Sequence, residues 1–248
     1  MSNLPLTVMP SSTVELPVLG KIIRVRAMTI REEKNLLTAK DAGNTEDIEF
    51  CVSELIKECS YNKVSPDDLT EPDIIALFLK IVELSKGPCV THTYICHNKT
   101  DEGKECLNRI NVTVDLRNVK FSDCAKTNLV KIQDNITLEL VYPTNEIFKK
   151  AAESSKTEIE TQLKVYAYSV KSIMQGDDIY TEYTDAEIYD WFLGLNEDSL
   201  KKVADFFNTI PKATLTYDIV CPKCGYKETI TLTRISDFFT QDTQETLS

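Results

Sequence analysis

The chain has 248 residues, with 28 Lys and Arg against 39 Asp and Glu for a formal net charge of −11, which suits one large domain or two small ones and disfavours binding to phosphate backbones or anionic membranes. Hydrophobic residues make up 42% and charged residues 27%, ordinary globular usage that argues against disorder along the whole chain. The 7 glycines, at positions 20, 43, 87, 103, 176, 194 and 225, allow neither a G-x-G-x-x-G fingerprint nor a P-loop to be written, so nucleotide chemistry of those kinds is excluded.

The first ten residues carry no basic start and only a broken apolar run, so they do not read as a secretory signal. Residues 11–26 are rich in β-branched side chains on both sides of Gly20 and predict a short hairpin, with Pro17 confining the first strand to an edge. Thr29 and Glu32 form a capping box, which predicts a helix over 30–40 that stops near Gly43. Ile48, Cys51, Val52, Leu55, Ile56 and Cys59 fall on one helical stripe. Thr70, with Pro72 in the first turn, opens a third helix carrying Ile74, Leu77, Phe78, Ile81, Val82 and Leu84, ended by Gly87 and Pro88. Its densest apolar run, 74–79, is far below the ~20 residues a bilayer requires, so no integral membrane segment is expected.

The period then changes. Residues 90–96 and 109–119 alternate in the manner of strands around a polar loop with Asn98, Asp101 and Gly103. Another strand is predicted over 135–141, before Tyr142, Pro143 and Thr144 start a helix or turn. Ile159, Leu163, Tyr166, Val170 and Ile173 recur at helical steps, a stripe for the core or for a partner helix. A second capping box, Thr184 with Glu187, opens a helix bearing Ile188, Trp191, Phe192 and Leu195. Leu200, Val203, Phe207 and Ile210 form the next, stopped by Pro211. Residues 214–220 and 226–233 read as a hairpin whose tip is Cys-Pro-Lys-Cys-Gly, followed by Phe238-Phe239 and a polar tail.

Eight cysteines without an export signal suggest reduced thiols or metal ligands before a disulfide framework. Cys221 and Cys224 have the spacing of a zinc knuckle, in which backbone amides of a tight turn hydrogen-bond the sulfurs. The second pair of ligands is best sought in the earlier hairpin, where Cys96 and Cys106 flank a nine-residue loop. The expectation is therefore one structural Zn²⁺ site of Cys96, Cys106, Cys221 and Cys224 that clasps distant segments. Replacement of Cys106 by His97 remains open at this point, as does a set of unligated thiols. Thioredoxin-like chemistry needs C-x-x-C at a helix start, whereas β-favouring residues follow Cys224. Cys51 and Cys59 read as core residues, and Cys89 and Cys124 as buried or idle thiols.

No catalytic constellation stands out. H-E-x-x-H and G-x-S-x-G are absent, and Asp67-Asp68 and Asp177-Asp178 read as helix-start or turn residues rather than a matched acid and base. Four thiolates would also close the metal's shell against catalysis. No small-molecule substrate is expected. Lys99, Lys104, Arg109, Lys223 and Lys227 are scattered among acids without a basic stripe, so nucleic acid is not an expected partner.

Several phrases in order resemble the tail-baseplate hub and hub-assembly proteins of T-even-type contractile-tailed bacteriophages. They are the early Leu-Pro and Pro-Ser, Val25-Arg26-Ala27-Met28-Thr29-Ile30-Arg31-Glu32-Glu33-Lys34, and Tyr94 and Cys96 with Cys106. Val141-Tyr142-Pro143-Thr144 and Cys221-Pro222-Lys223-Cys224-Gly225 ahead of Phe238-Phe239 complete them. Ala27 stands where the family pattern has a proline. The resemblance implies a non-enzymatic morphogenesis protein that assists assembly of the baseplate's central hub or forms part of it. Its partners would be other hub proteins, in the host cytoplasm during assembly or in the virion tail. The rival reading is a zinc-ribbon accessory protein that binds nucleic acid or a polymerase. The expected architecture is α+β, with helical regions packed around antiparallel β-hairpins, two of which join in a zinc-ribbon-like four-cysteine clasp. The expected divisions are 1–88, 89–142 with 212–240, and 143–211, integrated into one fold.

Overall fold

The computed structural model describes residues 8–99, 103–235, 237 and 242–243. Leu4, Pro5, Asp101, Phe238 and Phe239, which figure in the sequence reading, lie outside them. The described chain is α+β, with seven α-helices and small sheets that are antiparallel except for one short parallel pairing. It divides into two compact units, one of Met1–Val64, Pro72–Phe121 and Lys212–Ser248, the other of Ser65–Glu71 and Ser122–Pro211.

The first unit opens with the hairpin β1 (Ser11–Glu15) and β2 (Ile22–Arg26), paired from Ser11↔Arg26 to Glu15↔Ile22. Helix α1 (Ile30–Ala42) starts at the predicted capping box and ends where Gly43 turns left-handed at φ 71°. In α2 (Thr45–Cys59) the predicted stripe buries Val52, Leu55, Ile56 and Cys59, while Ile48 and Cys51 stay half-exposed. Helix α3 (Glu71–Lys86) is buried almost all round, including Ile74, Ile75, Leu77, Phe78 and Ile81, as a helix threading a core must be. Its Asp73, fully buried, accepts from the amide of Val18 at 2.9 Å and anchors the β1–β2 loop. Strands β3 (Cys89–Ile95) and β4 (Arg109–Asp115) form the middle hairpin, and β5 (Lys120–Phe121) follows a 3-10 turn.

In the second unit, β6 (Leu129–Gln133), β7 (Ile136–Leu140), β8 (Val170–Gln175) and β9 (Asp178–Tyr180) form a sheet in that order. Its helices are α4 (Asn145–Glu153), α5 (Glu158–Tyr168), α6 (Asp185–Leu193) and α7 (Glu197–Phe207). Ile132, Leu138, Leu140, Val170 and Ile173 of the sheet share a core with Ala167, Ile188, Phe192, Val203, Phe206 and Phe207. The sequence stripe through Ile159, Leu163, Tyr166, Val170 and Ile173 is therefore not one helix. Helix α5 stops at Tyr168, and Val170 and Ile173 pair with β7. Residues three apart fall on opposite faces of a regular strand, but the register shift between Glu139 and Leu140 lets β8 bury both Val170 and Ile173, and their pairing with β7 decides for the strand.

The chain returns to the first unit through β10 (Ala213–Val220) and β11 (Lys227–Leu232), and β12 (Asp242–Thr243) pairs with β3 in parallel. Strand β5 pairs with β10 through Phe121↔Ala213 and Lys120↔Thr214, so the chain leaves this unit and re-enters it on paired strands.

The entry to α1 concentrates charge. Glu32 closes the capping box by accepting from the Thr29 amide at 2.6 Å and takes a two-pronged contact from Arg26 at 2.7 and 3.0 Å, with the Cys59 thiol alongside. Burial opposes ionisation of Glu32, but the hydrogen bonds from Arg26 and Thr29 outweigh it and hold the carboxyl below its usual range. A lowered folded-state pKa means that the contribution is complete above the unfolded-state value and is lost as pH falls through the folded-state value. Glu32→Gln should cost about 2 kcal/mol at neutral pH by leaving Arg26 half-paired. Denaturant titrations should show the variant's deficit shrinking as pH falls below the ordinary glutamate range; a deficit independent of pH would count against the ionised pair.

Candidate metal centre

Two hairpins of the first unit bring the predicted cysteines together. The β3–β4 ladder runs from Cys89↔Asp115 to Ile95↔Arg109 and does not stop there. The amide of Cys96 donates to Asn108 O at 2.9 Å, that of Leu107 to Cys96 O at 2.8 Å and that of Cys106 to Asn98 O at 2.9 Å, with a further bridge between Lys99 and Glu105. The described residues of the nine-residue spacer thus continue the hairpin, which is why Cys96 and Cys106 sit close despite a spacing wider than a knuckle's. On the other arm, Gly225 N donates to Cys221 O and Cys221 N to Tyr226 O, both at 2.8 Å, closing the turn between β10 and β11. The Tyr94 and Tyr217 hydroxyls meet farther along the same two hairpins.

The Cys96 and Cys224 sulfurs lie 3.6 Å apart and those of Cys106 and Cys221 3.7 Å apart, and all four lie within 4.8 Å of one another. Cys96, Cys106 and Cys221 are buried and Cys224 is half-buried. None of the eight cysteines is disulfide-bonded, and these separations are far from the ~2 Å of an S–S bond. They match the edge of a tetrahedron of sulfurs at ~2.3 Å from a central zinc, about 3.8 Å. Four sulfurs this close cannot all ionise without a cation among them, so the donor set suits a thiophilic divalent ion.

Polar groups surround the sulfurs. Burial pushes the Cys96 thiol up to about 12, and raises Cys106 too. At Cys221 burial acts in the same direction, but the amides of Cys224 and Lys223 aimed at the sulfur, with the neighbouring thiols, bring it down to about 6. That pattern of amides is the turn chemistry expected of the knuckle. The amides of Asn98 and Asn108 reach Cys96 and Cys106 in the same way. Their side chains cross to the other arm, Asn98 Nδ2 to Cys224 Sγ at 3.8 Å and Asn108 Nδ2 to Cys221 Sγ at 3.7 Å. Lys223 Nζ crosses back to Cys106 O at 2.9 Å. In the sequence Asn98 reads only as a loop residue and Asn108 is not singled out, although the signal is there as a repeated C-x-N in Cys96-His97-Asn98 and Cys106-Leu107-Asn108.

The structure sorts the remaining candidates. His97 is exposed, with Nδ1 at 3.3 Å from Glu105 Oε2, and the four-atom cluster is made by Cys106 and the other three cysteines. Cys59 is a core residue, Cys51 is half-exposed, and Cys89 and Cys124 are exposed rather than buried.

The match to a protein-family model, described as T4 bacteriophage base plate protein, covers residues 9–240. The chain belongs to this family. The base plate protein family gives the chain a structural role in the tail baseplate of a phage, among other phage structural proteins. No curated protein and no solved structure shows significant similarity to the chain. No helix among the described residues of this base plate protein is long and apolar enough to cross a membrane.

The two arms place the residue after their second cysteine in the same backbone region, Gly225 at φ 73° and Leu107 at φ 49°. That region costs an L side chain roughly 1–2 kcal/mol. Since nothing lies within 4 Å of a Cβ built on Gly225, Gly225→Ala should destabilise by about 1 kcal/mol through backbone strain alone. Leu107→Gly should stabilise by up to about 1 kcal/mol, the relieved strain being offset in part by greater freedom of the unfolded chain. Thermal melting of both variants checks the opposite signs.

Proposed function

We propose that the chain acts at the central hub of the baseplate, as a hub subunit or as a factor in hub assembly, that it is not an enzyme, and that Cys96, Cys106, Cys221 and Cys224 hold one structural zinc. The hub reading is supported by the base plate family together with the ordered phrases that resemble the hub proteins, from Val25 through Lys34 to Cys221 through Gly225. The metal reading is carried by one observation, four sulfurs from two hairpins within 4.8 Å of one another and ringed by amide donors. Four thiolates fill a tetrahedral shell, so the ion's work is to hold the hairpins together rather than to bind a substrate.

Native mass spectrometry of the chain purified from cells that also make the other tail proteins tests both halves. One zinc per chain with hub proteins attached is the expected result; a zinc-loaded chain with no tail partner would overturn the hub reading, and a metal-free native chain the clasp. Cys221→Ser should abolish zinc binding and, because structural zinc contributes on the order of 10 kcal/mol in small domains, lower the melting temperature by roughly 10 °C or more. Unchanged metal content and melting would refute the clasp.

A further inference from the structure

We propose that the groove bounded by α4, α5 and the C-terminal end of α7 is a docking site for a segment of another protein that carries an apolar anchor flanked by Lys or Arg. The inference goes beyond the hub and zinc readings and rests on neither.

The first observation is where the charge sits. Over the residue ranges of the second unit, Asp and Glu number 19 and Lys 9, with no Arg, for a net of −10; the ranges of the first unit hold 20 acids and 19 bases, a net of −1. Almost the whole acidity of the chain belongs to one unit. Most of that unit's lysines are already engaged by its own acids: Lys149 with Asp67 at 2.5 Å, Lys150 with Asp185 at 2.6 Å, Lys164 with Glu160 at 2.8 Å, Lys171 with Glu139 at 2.8 Å and Lys202 with Asp198 at 2.7 Å. The field left over is negative, and it draws basic surfaces.

The second observation is an apolar recess in the same unit. A cavity of about 410 Å³ opens among Pro143, Phe148, Val165, Tyr166, Phe207 and Ile210. Its floor is set, because Tyr166 stacks on Phe207 with centroids 4.7 Å apart and planes 7° from parallel, and Gln162 Nε2 donates to the Tyr166 hydroxyl at 2.9 Å. Phe148 remains 44% exposed, and Ile159, one turn from the cavity's Gln162, is 73% exposed. Singly exposed apolar residues are ordinary on a surface. Here Phe148 lines an open recess whose wall also includes the exposed carboxylate of Glu158, within a unit of net −10. A packed aromatic floor with an acidic edge fits an aliphatic or aromatic anchor whose flanks are basic.

A synthetic leucine/lysine amphipathic peptide, titrated against the full chain, tests this directly, with a leucine/glutamate peptide of the same pattern as its counterpart. The lysine peptide should bind and weaken as salt rises, and the glutamate peptide should not bind. Phe148→Ser should lower affinity about tenfold and Glu158→Gln about threefold. Neutralising a distant acidic pair by Asp177→Asn with Asp178→Asn should change affinity less than about twofold. Hydrogen exchange on the unmodified chain should show peptide-dependent protection in α4 and α5. Equal losses at Glu158 and at the distant pair, unchanged affinity in a folded Phe148→Ser, or protection confined to other elements would each overturn the proposal. No baseplate protein enters the experiment, so its failure leaves the hub reading standing, and failure of the hub reading leaves it untouched.

Discussion

The four-sulfur cluster is the constraint that brings together the two hairpins of the first unit, because β3–β4 and β10–β11 lie far apart in sequence. The paired sulfurs are 115 and 128 residues apart in sequence. Bringing such distant points together costs an unfolded chain about 4–5 kcal/mol of closure entropy. Two local devices supplement the sulfurs. The Phe121↔Ala213 pairing fixes the points where residues 122–211 leave and rejoin, and the Tyr94 and Tyr217 hydroxyls meet across the same pair of hairpins. A two-strand ladder so short is marginal by itself in water. A metal ion held by the four sulfurs would supply what two small sheets cannot, a strong and geometrically demanding link near the ends of the hairpins.

The division of charge follows the division of structure. The first unit is close to neutral and tucks a few charged groups into its packing, as in buried Asp73 under the β1–β2 loop and half-buried Glu32 between Thr29 and Arg26. The second unit packs an apolar core under a four-stranded sheet and keeps its surplus acids at the surface. Surplus charge of one sign opposes compaction but favours specificity for partners of the other sign. In a baseplate protein, whose family role is structural, an acidic unit disfavours association with surfaces of its own sign.

Local chemistry was the legible part of the sequence. Both capping boxes, Thr29 with Glu32 and Thr184 with Glu187, form as read, because the donors and acceptors involved lie within one helical turn. The hairpin of β10 and β11 was legible from its Cys-Pro-Lys-Cys-Gly tip, and the α+β class from the change of period near residue 90. Strand β6 was not legible, since Leu129–Gln133 is five residues long and buries only Ile132. The break between α5 and β8 was hidden for a sharper reason. Val170 and Ile173 fit a helical stripe by spacing, and only their partners on β7, Leu140 and Leu138, 30 and 35 residues earlier in the chain, make them a strand.

The same contrast explains what was readable of the clasp. Cys221 and Cys224 declare themselves, because a two-residue spacing within one turn leaves few alternatives. Cys96 and Cys106 do not, because their nine-residue spacer has meaning only once it is seen to pair with itself through Cys106 N to Asn98 O and the Lys99↔Glu105 bridge. What the spacer then creates is a near-copy of the knuckle in other residues. Amides two positions beyond Cys96 and Cys106 reach the sulfurs, and Leu107 takes the left-handed backbone that Gly225 takes on the other arm. A leucine accepts that conformation only where the surroundings impose it. The two arms therefore converge on one geometry from unlike sequences, and the convergence points to a shared demand at their centre, four sulfurs held within 4.8 Å of one another.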